Sequence, residues 1–521
     1  MINQMTTNIL WIDDEIDSLK AQFLFLEGKG YTVATASNGY DGLEYIKNNH
    51  VDVVLLDESM PGMTGLETLI EIKKISTLLP VVMVTKNEAE NIMEDAIGSQ
   101  ITDYLIKPVN PNQVLLTLKK ILDRKSLVSE KTTHNYQVDF RNLFMDLQDS
   151  PNHEEWKTLY KKIVYWELEI QKADSPEMMD VFSTQKAEAN SDFCKFISKN
   201  YAKWIAGKDA PILSHQLMKE KVLPNLEKGK PLFFVLIDNL RYDHWKSIEP
   251  IIAESFRIND EDIFYSILPT STQYARNAIF AGILPIDIEK KFPEQWRNDD
   301  DDGGKNNSEK EYFANQLKMW GKSDLKFSYT KITNHADGET MANNMLNLMH
   351  NDINIIVYNF VDMLSHARTE MEVLKELAND EVSYRSIATS WFLHSPLHEA
   401  LKKISDKNVK VIIATDHGSV RVKNAEKVIG DKSTTANIRY KHGRNLNYDS
   451  KQILAFKDPA EVGLPRPNMN SSYIFALNDT YLCYPNNYNH YVKFFNNTFQ
   501  HGGVSLEEIL IPVVVMEGKG S

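Results

Sequence analysis

Cysteine is nearly absent: Cys194 and Cys483 are the only two among 521 residues, far apart and without metal-ligand spacing. This excludes a disulfide scaffold, suits a reducing cytoplasm, and leaves any metal site to Asp, His and hydroxyl groups. Long apolar runs are also missing, with nothing near the ~18 residues needed to cross a bilayer. The first residues, MINQMTTNILWIDDE, have neither the basic start nor the apolar core of a secretory signal. The expectation is a cytoplasmic protein without a membrane role. Clustered positive charge is scarce at a formal net charge of −14, so a large nucleic-acid surface is excluded. Direct DNA binding is not expected either, because no helix-turn-helix candidate carries a basic recognition face. The most basic stretch, Arg439-Tyr440-Lys441-His442 with Arg444, reads as a surface loop. A small anionic substrate held locally by metal ions is compatible with this acidity.

The length exceeds the roughly 250–300 residues that one core can serve, and the pattern divides the chain in three. Residues 1–125 alternate strand-like and helix-like segments, predicting a doubly wound five-stranded α/β domain. Its strands are predicted at Asn8–Asp14, Tyr31–Ser37, Val51–Asp57, Leu79–Thr85 and Asp103–Lys107. Residues 126–208 have little proline, and Trp156, Leu159, Tyr160, Ile163, Trp166 and Ile170 recur at helical spacing. They predict a small bundle of about three helices with the aromatic stripe as core. Residues 209–521 return to long apolar strands and predict a large α/β domain. Within it, Asn298–Lys310 (NDDDDGGKNNSEK) predicts a mobile surface loop, and the run Asp299–Asp302 lacks the alternate-residue spacing of a calcium loop.

In the first domain Asp13 and Asp14 follow one strand, Asp57 and Thr85 end two others, and Lys107 follows a fourth. Parallel strands bring these ends to one edge, where open α/β sheets build their sites. Three carboxylates gathered there repel one another unless a hard cation such as Mg²⁺ bridges them. A metal-held carboxylate can attack a phosphoryl donor, with Lys107 neutralising the transferred group and the Thr85 hydroxyl bonding one oxygen.

A second set lies in the large domain. Three apolar strands, Pro231–Ile237, Ile353–Val361 and Val409–Thr415, lead into Asp238, Asp362 and Asp416. His366 follows Asp362 by four residues, His417 adjoins Asp416, and His501 precedes Gly502-Gly503. Three Asp and three His exceed the needs of one divalent ion and suit a pair of zinc-like ions. Two such ions can polarise a phosphoryl oxygen and stabilise both attacking and leaving oxygens. The nucleophile would then be an alcohol, and Leu268–Arg276 (LPTSTQYAR) offers Thr270, Ser271 and Thr272 at a helix start. Arg241 and Arg276 are candidate contacts for substrate phosphate. His394 and His398 stand at i, i+4, but Pro396 between them signals a helix start. His442 with Arg444, in a Gly-containing loop after the TDHG strand, could contact substrate phosphate, though a surface loop is the favoured reading, and His335 and His490 carry no stronger reading.

Residues 8–124 resemble the CheY-like receiver family. That resemblance implies Asp57 as phosphoacceptor, Asp13 and Asp14 with Asp57 as Mg²⁺ ligands, Thr85 and Lys107 as phosphate sensors, and Tyr104 as switch aromatic. Lys86 departs from the small residue usual in the family, which implies a slower loss of the phosphoryl group. DNLR at 238–241, PTSTQYAR at 269–276, FAGILP at 280–285, DMLSH at 362–366, TDHGS at 415–419 and HGGVSLEE at 501–508 resemble the alkaline-phosphatase superfamily, in its PglZ branch, over about residues 209–521. The resemblance implies one ion on Asp238, Thr272, Asp416 and His417, and a second on Asp362, His366 and His501. It implies two zinc ions, with manganese as the alternative, and Thr272 as nucleophile, Thr270 being the runner-up.

Receiver, helical linker and PglZ domain in this order resemble the PorX type of response regulator, associated with type 9 secretion. The resemblance implies a sensor histidine kinase, a homodimer favoured by phosphorylation, a sigma-factor partner, and a phosphodiesterase acting on linear or cyclic oligonucleotides. The alternative is an adapter of weak or no activity that binds a sigma factor when phosphorylated.

Overall fold

A computed structural model describes residues 7–76, 79–85, 101–118, 121, 136, 151–173, 176–299, 301, 303–364, 380–431, 434–467 and 470–520. The chain forms two compact units, Met1–Asn135 and Tyr136–Ser521. Among the described residues no helix is long and apolar enough to cross a membrane.

The first unit holds five strands, β1 (Asn8–Ile12), β2 (Thr32–Ala36), β3 (Val53–Asp57), β4 (Val81–Thr85) and β5 (Asp103–Ile106). They form one parallel sheet in the order β2-β1-β3-β4-β5. Alternation along each strand feeds two cores. Ile9, Trp11, Val53, Leu55, Val82 and Val84 pack on one face, and Leu10, Ile12, Val54, Leu56, Val81 and Met83 on the other. Burying each such aliphatic side chain stabilises the fold by about 1.5–3 kcal/mol, so a one-residue slip of any strand would be heavily penalised. Helices α1 (Lys20–Glu27), α2 (Gly39–Asn48) and α3 (Gly65–Ile75) cover the sheet. α3 begins in a reciprocal cap between Thr64 and Glu67.

In the second unit, the first helices whose bounds fall within the described residues are α4 (His153–Ala173) and α5 (Pro176–Ile205). The stripe Trp156, Leu159, Tyr160, Ile163, Trp166 and Ile170 is buried, but it does not close a separate bundle. Tyr160 meets Tyr242 at 5.9 Å between ring centres, and Trp204 meets Tyr265 at 5.3 Å, so the helices share one core with the large sheet. Any third helix falls outside the described residues. The sheet comprises β6 (Leu232–Ile237), β7 (Phe256–Tyr265), β8 (Phe327–Ile332), β9 (Ile353–Tyr358), β10 (Lys410–Ala414) and β14 (Leu510–Gly518). Its order is β7-β14-β10-β6-β9-β8, with β10, β6, β9 and β8 parallel and β14 antiparallel to both β10 and β7. A smaller antiparallel sheet pairs β13 (Ser472–Ala476) with β11 (Tyr440–Gly443) and β12 (Ile453–Phe456). β11 corrects the expected surface loop at Arg439–His442: these residues are buried, and Arg439 pairs with Glu508 at 2.6 Å.

Candidate active site

In the first unit the ends of β1 and β3 bring Asp13, Asp14 and Asp57 into one acidic cluster. Asp13 and Asp57 are buried, whereas Asp14 faces solvent. Lys107, after β5, lies 3.0 Å from Asp13 and 2.9 Å from Asp57. Burial raises the Asp57 carboxyl above its ordinary range, Lys107 opposes, and Asp13 and Asp14 add repulsion. Three acids against one lysine leave excess negative charge, a donor set that fits Mg²⁺. α3 approaches so closely that a Cβ on Gly65 would sit 2.2 Å from the Asp57 carbonyl, which restricts that position to glycine. The Thr85 carbonyl accepts from the Lys107 amide at 2.7 Å, and Tyr104 is 44% exposed. Lys86 lies outside the described residues.

The second site is built at the C-terminal edge of β6, β9 and β10. Asp238 follows β6 directly and Asp416 follows β10 by two residues. The strand predicted to run into Asp362 ends earlier, at Tyr358, and Asp362 sits on the helical turn after it. His501 arrives ahead of β14, which starts at the same edge because it runs antiparallel. Two donor clusters result, Asp238–Asp416–His417 and Asp362–His417–His501, joined by His417. The His417 and His501 rings stack at 4.2 Å, and His501 Nε2 is 3.5 Å from Asp362 Oδ1. Burial raises the Asp238 carboxyl well above the usual range; Arg276 opposes, while Asp416 and Asp362 add repulsion. Mixed carboxylate and imidazole donors at this spacing fit zinc-like ions. His366 lies outside the described residues.

Thr272 opens the helical turn that follows extended Ser271. Its hydroxyl stands 3.1 Å from His417 Nε2 and 3.4 Å from Asp238 Oδ1, and it is partly exposed. Thr270 is not placed for attack. Its hydroxyl is buried, donates to the Gly503 carbonyl at 3.0 Å and accepts from the Gly502 amide at 2.9 Å.

Both arginines proposed for substrate phosphate are instead fully buried against protein carboxylates. Arg276 bonds Asp416 at 2.9 Å and also pairs with Asp238, behind the donor cluster. Arg241 grips Asp243 through two nitrogens at 2.8 and 2.6 Å. Neither can leave without stranding buried charge.

The loop expected to be mobile is instead fastened to the Thr272 turn. Asn306 donates to the Thr272 carbonyl at 2.9 Å and to Asn277 at 3.1 Å. Asp299 accepts from Tyr274 and Tyr440 at 3.0 Å each, and His442 lies 3.0 Å away. Sequence reasoning missed both residues, since only the amide- and acid-rich composition of the loop hinted at side chains able to fasten it. Asp300 and Asp302 lie outside the described residues. At the paired histidines, Ser395 caps the helix Pro396–Ile404 as the proline signalled, and His398 turns to the Leu393 carbonyl at 2.9 Å.

The model of the BREX system PglZ alkaline phosphatase-like domain matches residues 217–516, more than half of the chain. The chain belongs to the PglZ family. Ahead of this domain, the PorX response regulator linker domain matches residues 126–205 and the response regulator receiver domain matches 9–119. The three together reproduce the PorX-type architecture of receiver, linker and PglZ domain. Among curated relatives, the transcriptional regulatory protein ZraR of Klebsiella oxytoca is 35% identical over 133 residues, 26% of this chain and 30% of that protein. SrrA of Staphylococcus aureus is 28% identical over 145 residues, 27% of this chain and 60% of that protein. The chain thus spans about a third of ZraR's own length and under two thirds of SrrA's. Among solved structures, a receiver domain protein from Clostridium thermocellum shares 33% identity at a TM-score of 0.22, covering 23% of this chain and 98% of that one. CheY4 of Vibrio cholerae shares 28% at 0.22, covering 22% and 99%.

Proposed function

We propose that this chain is a two-component response regulator in which phosphorylation of Asp57 controls a two-metal phosphodiesterase acting on linear or cyclic oligonucleotides. The observation that carries the reading is the Thr272 hydroxyl, partly exposed beside Asp238 and His417 where two donor clusters meet. Zinc or manganese bound there would supply Lewis acidity toward the phosphoryl group and favour the Thr272 alkoxide. The chain's residues do the rest. Thr272 Oγ, having given up its proton, bonds to phosphorus as the ester bond to the leaving ribose oxygen breaks and that oxygen takes up a proton. Water then attacks the same phosphorus, frees the nucleotide phosphate from Thr272 and restores the hydroxyl. Arg276 keeps Asp238 and Asp416 paired, which holds both acids at the edge of β6 and β10.

In the receiver, the Asp57 carboxylate takes a phosphoryl group from the phosphohistidine of a sensor kinase, whose histidine is released, while Thr85, Tyr104 and Lys107 respond to it; Asp13, Asp14 and Asp57 would hold a Mg²⁺ that neutralises the site. The PorX-type order of domains supports a cytoplasmic role in type 9 secretion, with a phosphorylation-favoured homodimer and a sigma-factor partner. Thr272→Val should abolish hydrolysis of bis(p-nitrophenyl) phosphate, by about 10³-fold or more, while zinc per chain stays largely intact on the remaining donors. Full activity in that variant excludes Thr272. No hydrolysis by the zinc- or manganese-loaded parent protein returns the adapter reading.

A further inference from the structure

Arg241 stands three residues beyond Asp238, and it reaches three of the four segments that carry carboxylate and imidazole donors of the second site, those of Asp238, His417 and His501. Its guanidinium holds Asp243 and Glu381, the latter at 2.7 Å, and donates to the Ser419 carbonyl at 3.4 Å, two residues past His417. It also lies over the rings of Tyr384 and Phe499, at 5.9 and 5.6 Å, and these stack on each other at 3.9 Å. Phe499 is two residues before His501.

The charges continue into the linker helices. Asp243 also meets Arg385 at 2.7 Å, and Arg385 meets Glu167 of α4 at 3.0 Å. The other Glu167 oxygen holds Lys186 of α5 at 2.8 Å, and Lys186 closes on Glu507 at 2.9 Å. The Glu507 carbonyl lies against Gly418, where a Cβ would come within 2.0 Å of it. The chain of charges therefore leaves the linker helices and reaches the turn beside His417 from two sides. Glu167 occupies the buried face of α4 between Ile163 and Ile170, where an apolar residue would satisfy packing. Buried ion networks of this kind are seldom needed for stability, because apolar replacements are often as stable.

We infer that Glu167 and Lys186 are positioning residues for the hydrolase, so that the linker helices complete its active site by fixing the turns after β6 and β10. The activity arm of this inference rests on the phosphodiesterase reading; the exchange arm below does not. A shift of α4 against α5 pulls Glu167 from Lys186 and loosens the turns that carry Asp238 and His417.

The test uses the full-length, zinc-loaded protein with bis(p-nitrophenyl) phosphate, comparing Glu167→Ala, Glu167→Gln and Lys186→Met with the parent. Glu167→Ala and Lys186→Met should each lower kcat about 10-fold with KM within about two-fold, and the double variant should lose little more, as coupled residues do. Glu167→Gln, which keeps the shape and one acceptor, should recover part of the loss. Hydrogen exchange should quicken at 238–243 and 416–421 in the zinc-loaded Glu167→Gln protein, with the rest of the second unit unchanged. Unchanged kcat, or faster exchange spread evenly over the second unit, overturns the inference. If the parent hydrolyses nothing, the phosphodiesterase reading has failed, and local against unchanged or uniform exchange still decides the role of Glu167.

Discussion

Two acid clusters in this chain look alike in sequence and differ in how their charge is balanced. The receiver gathers Asp13, Asp14 and Asp57 around Lys107, which is 12% exposed and reaches in from the rim. The PglZ domain gathers Asp238, Asp416 and Asp362 with two histidines, and Arg276 lies beneath Asp238 and Asp416 at 0% exposure. A lysine at the rim can follow a phosphoryl group as it arrives and leaves, and water shares in balancing the charge. A buried guanidinium cannot move, so it serves the scaffold, and under the proposed function a substrate's charge would fall to ions held by the donors. Like motifs thus sit in two different charge environments, which under the proposed function suit one cluster to modification and the other to turnover.

Removing each cation should expose this difference most strongly. Arg276→Met strands two buried carboxylates and should destabilise the second unit by about 3–5 kcal/mol in chelator, with much of the loss recovered on adding zinc. Lys107→Met strands buried Asp13 and Asp57, but at a site that Lys107 reaches from solvent, and should destabilise the receiver less, by about 1–3 kcal/mol. Calorimetry of the full chain with EDTA and then with zinc measures both. Equal losses would show that depth does not separate the two sites.

A smaller effect tests whether the hydrolase site is held as rigidly as its burial suggests. Asn306→Ala removes the amide that secures the Thr272 carbonyl, and misplacing the proposed nucleophile would be felt in the chemical step. We expect kcat to fall about 10-fold, roughly 1.4 kcal/mol of barrier, with zinc content unchanged. Steady-state kinetics beside metal analysis measures this; unaltered kcat would mean that the loop only covers the turn.

The receiver was readable because its residues stand at strand ends in fixed order, and alternation predicts such strands well. Asp238 and Asp416 were readable for the same reason, whereas Asp362 lies on a helical turn beyond the end of its strand. Choosing among hydroxyls was harder, since Thr270 and Thr272 differ by two positions in one short segment. Only the change from extended Ser271 to a helical turn points Thr272 at His417 while Thr270 is tied to Gly502 and Gly503. Arg241 misled because its neighbours in sequence are donors, whereas its partners include Glu381, far along the chain. Glu167 did leave a signal, an acid on the apolar face of α4, and that signal asks for a buried cation without saying which one.

The smallest effect concerns Asp57 itself. Its carboxyl titrates above its ordinary value chiefly because it is buried, with Asp13 and Asp14 contributing, and Lys107 does not fully offset them. A carboxyl whose folded pKa is raised favours folding fully below the unfolded pKa, about 4. That contribution is lost as pH rises through the folded value. In the ionised state at neutral pH, Asp57 therefore works against the receiver fold. Asp57→Asn should raise the receiver's melting temperature at pH 7 in EDTA, and the gain should shrink as pH falls and the Asp57 carboxyl takes up its proton. Adding Mg²⁺ should erase the gain, because the cation stabilises the native carboxylate and has less to hold in the amide. Calorimetry across pH with and without Mg²⁺ reads all three arms. A variant less stable than the parent in EDTA at pH 7 would mean that Lys107 already balances the cluster, and the receiver would then resemble the hydrolase site more closely than its burial indicates.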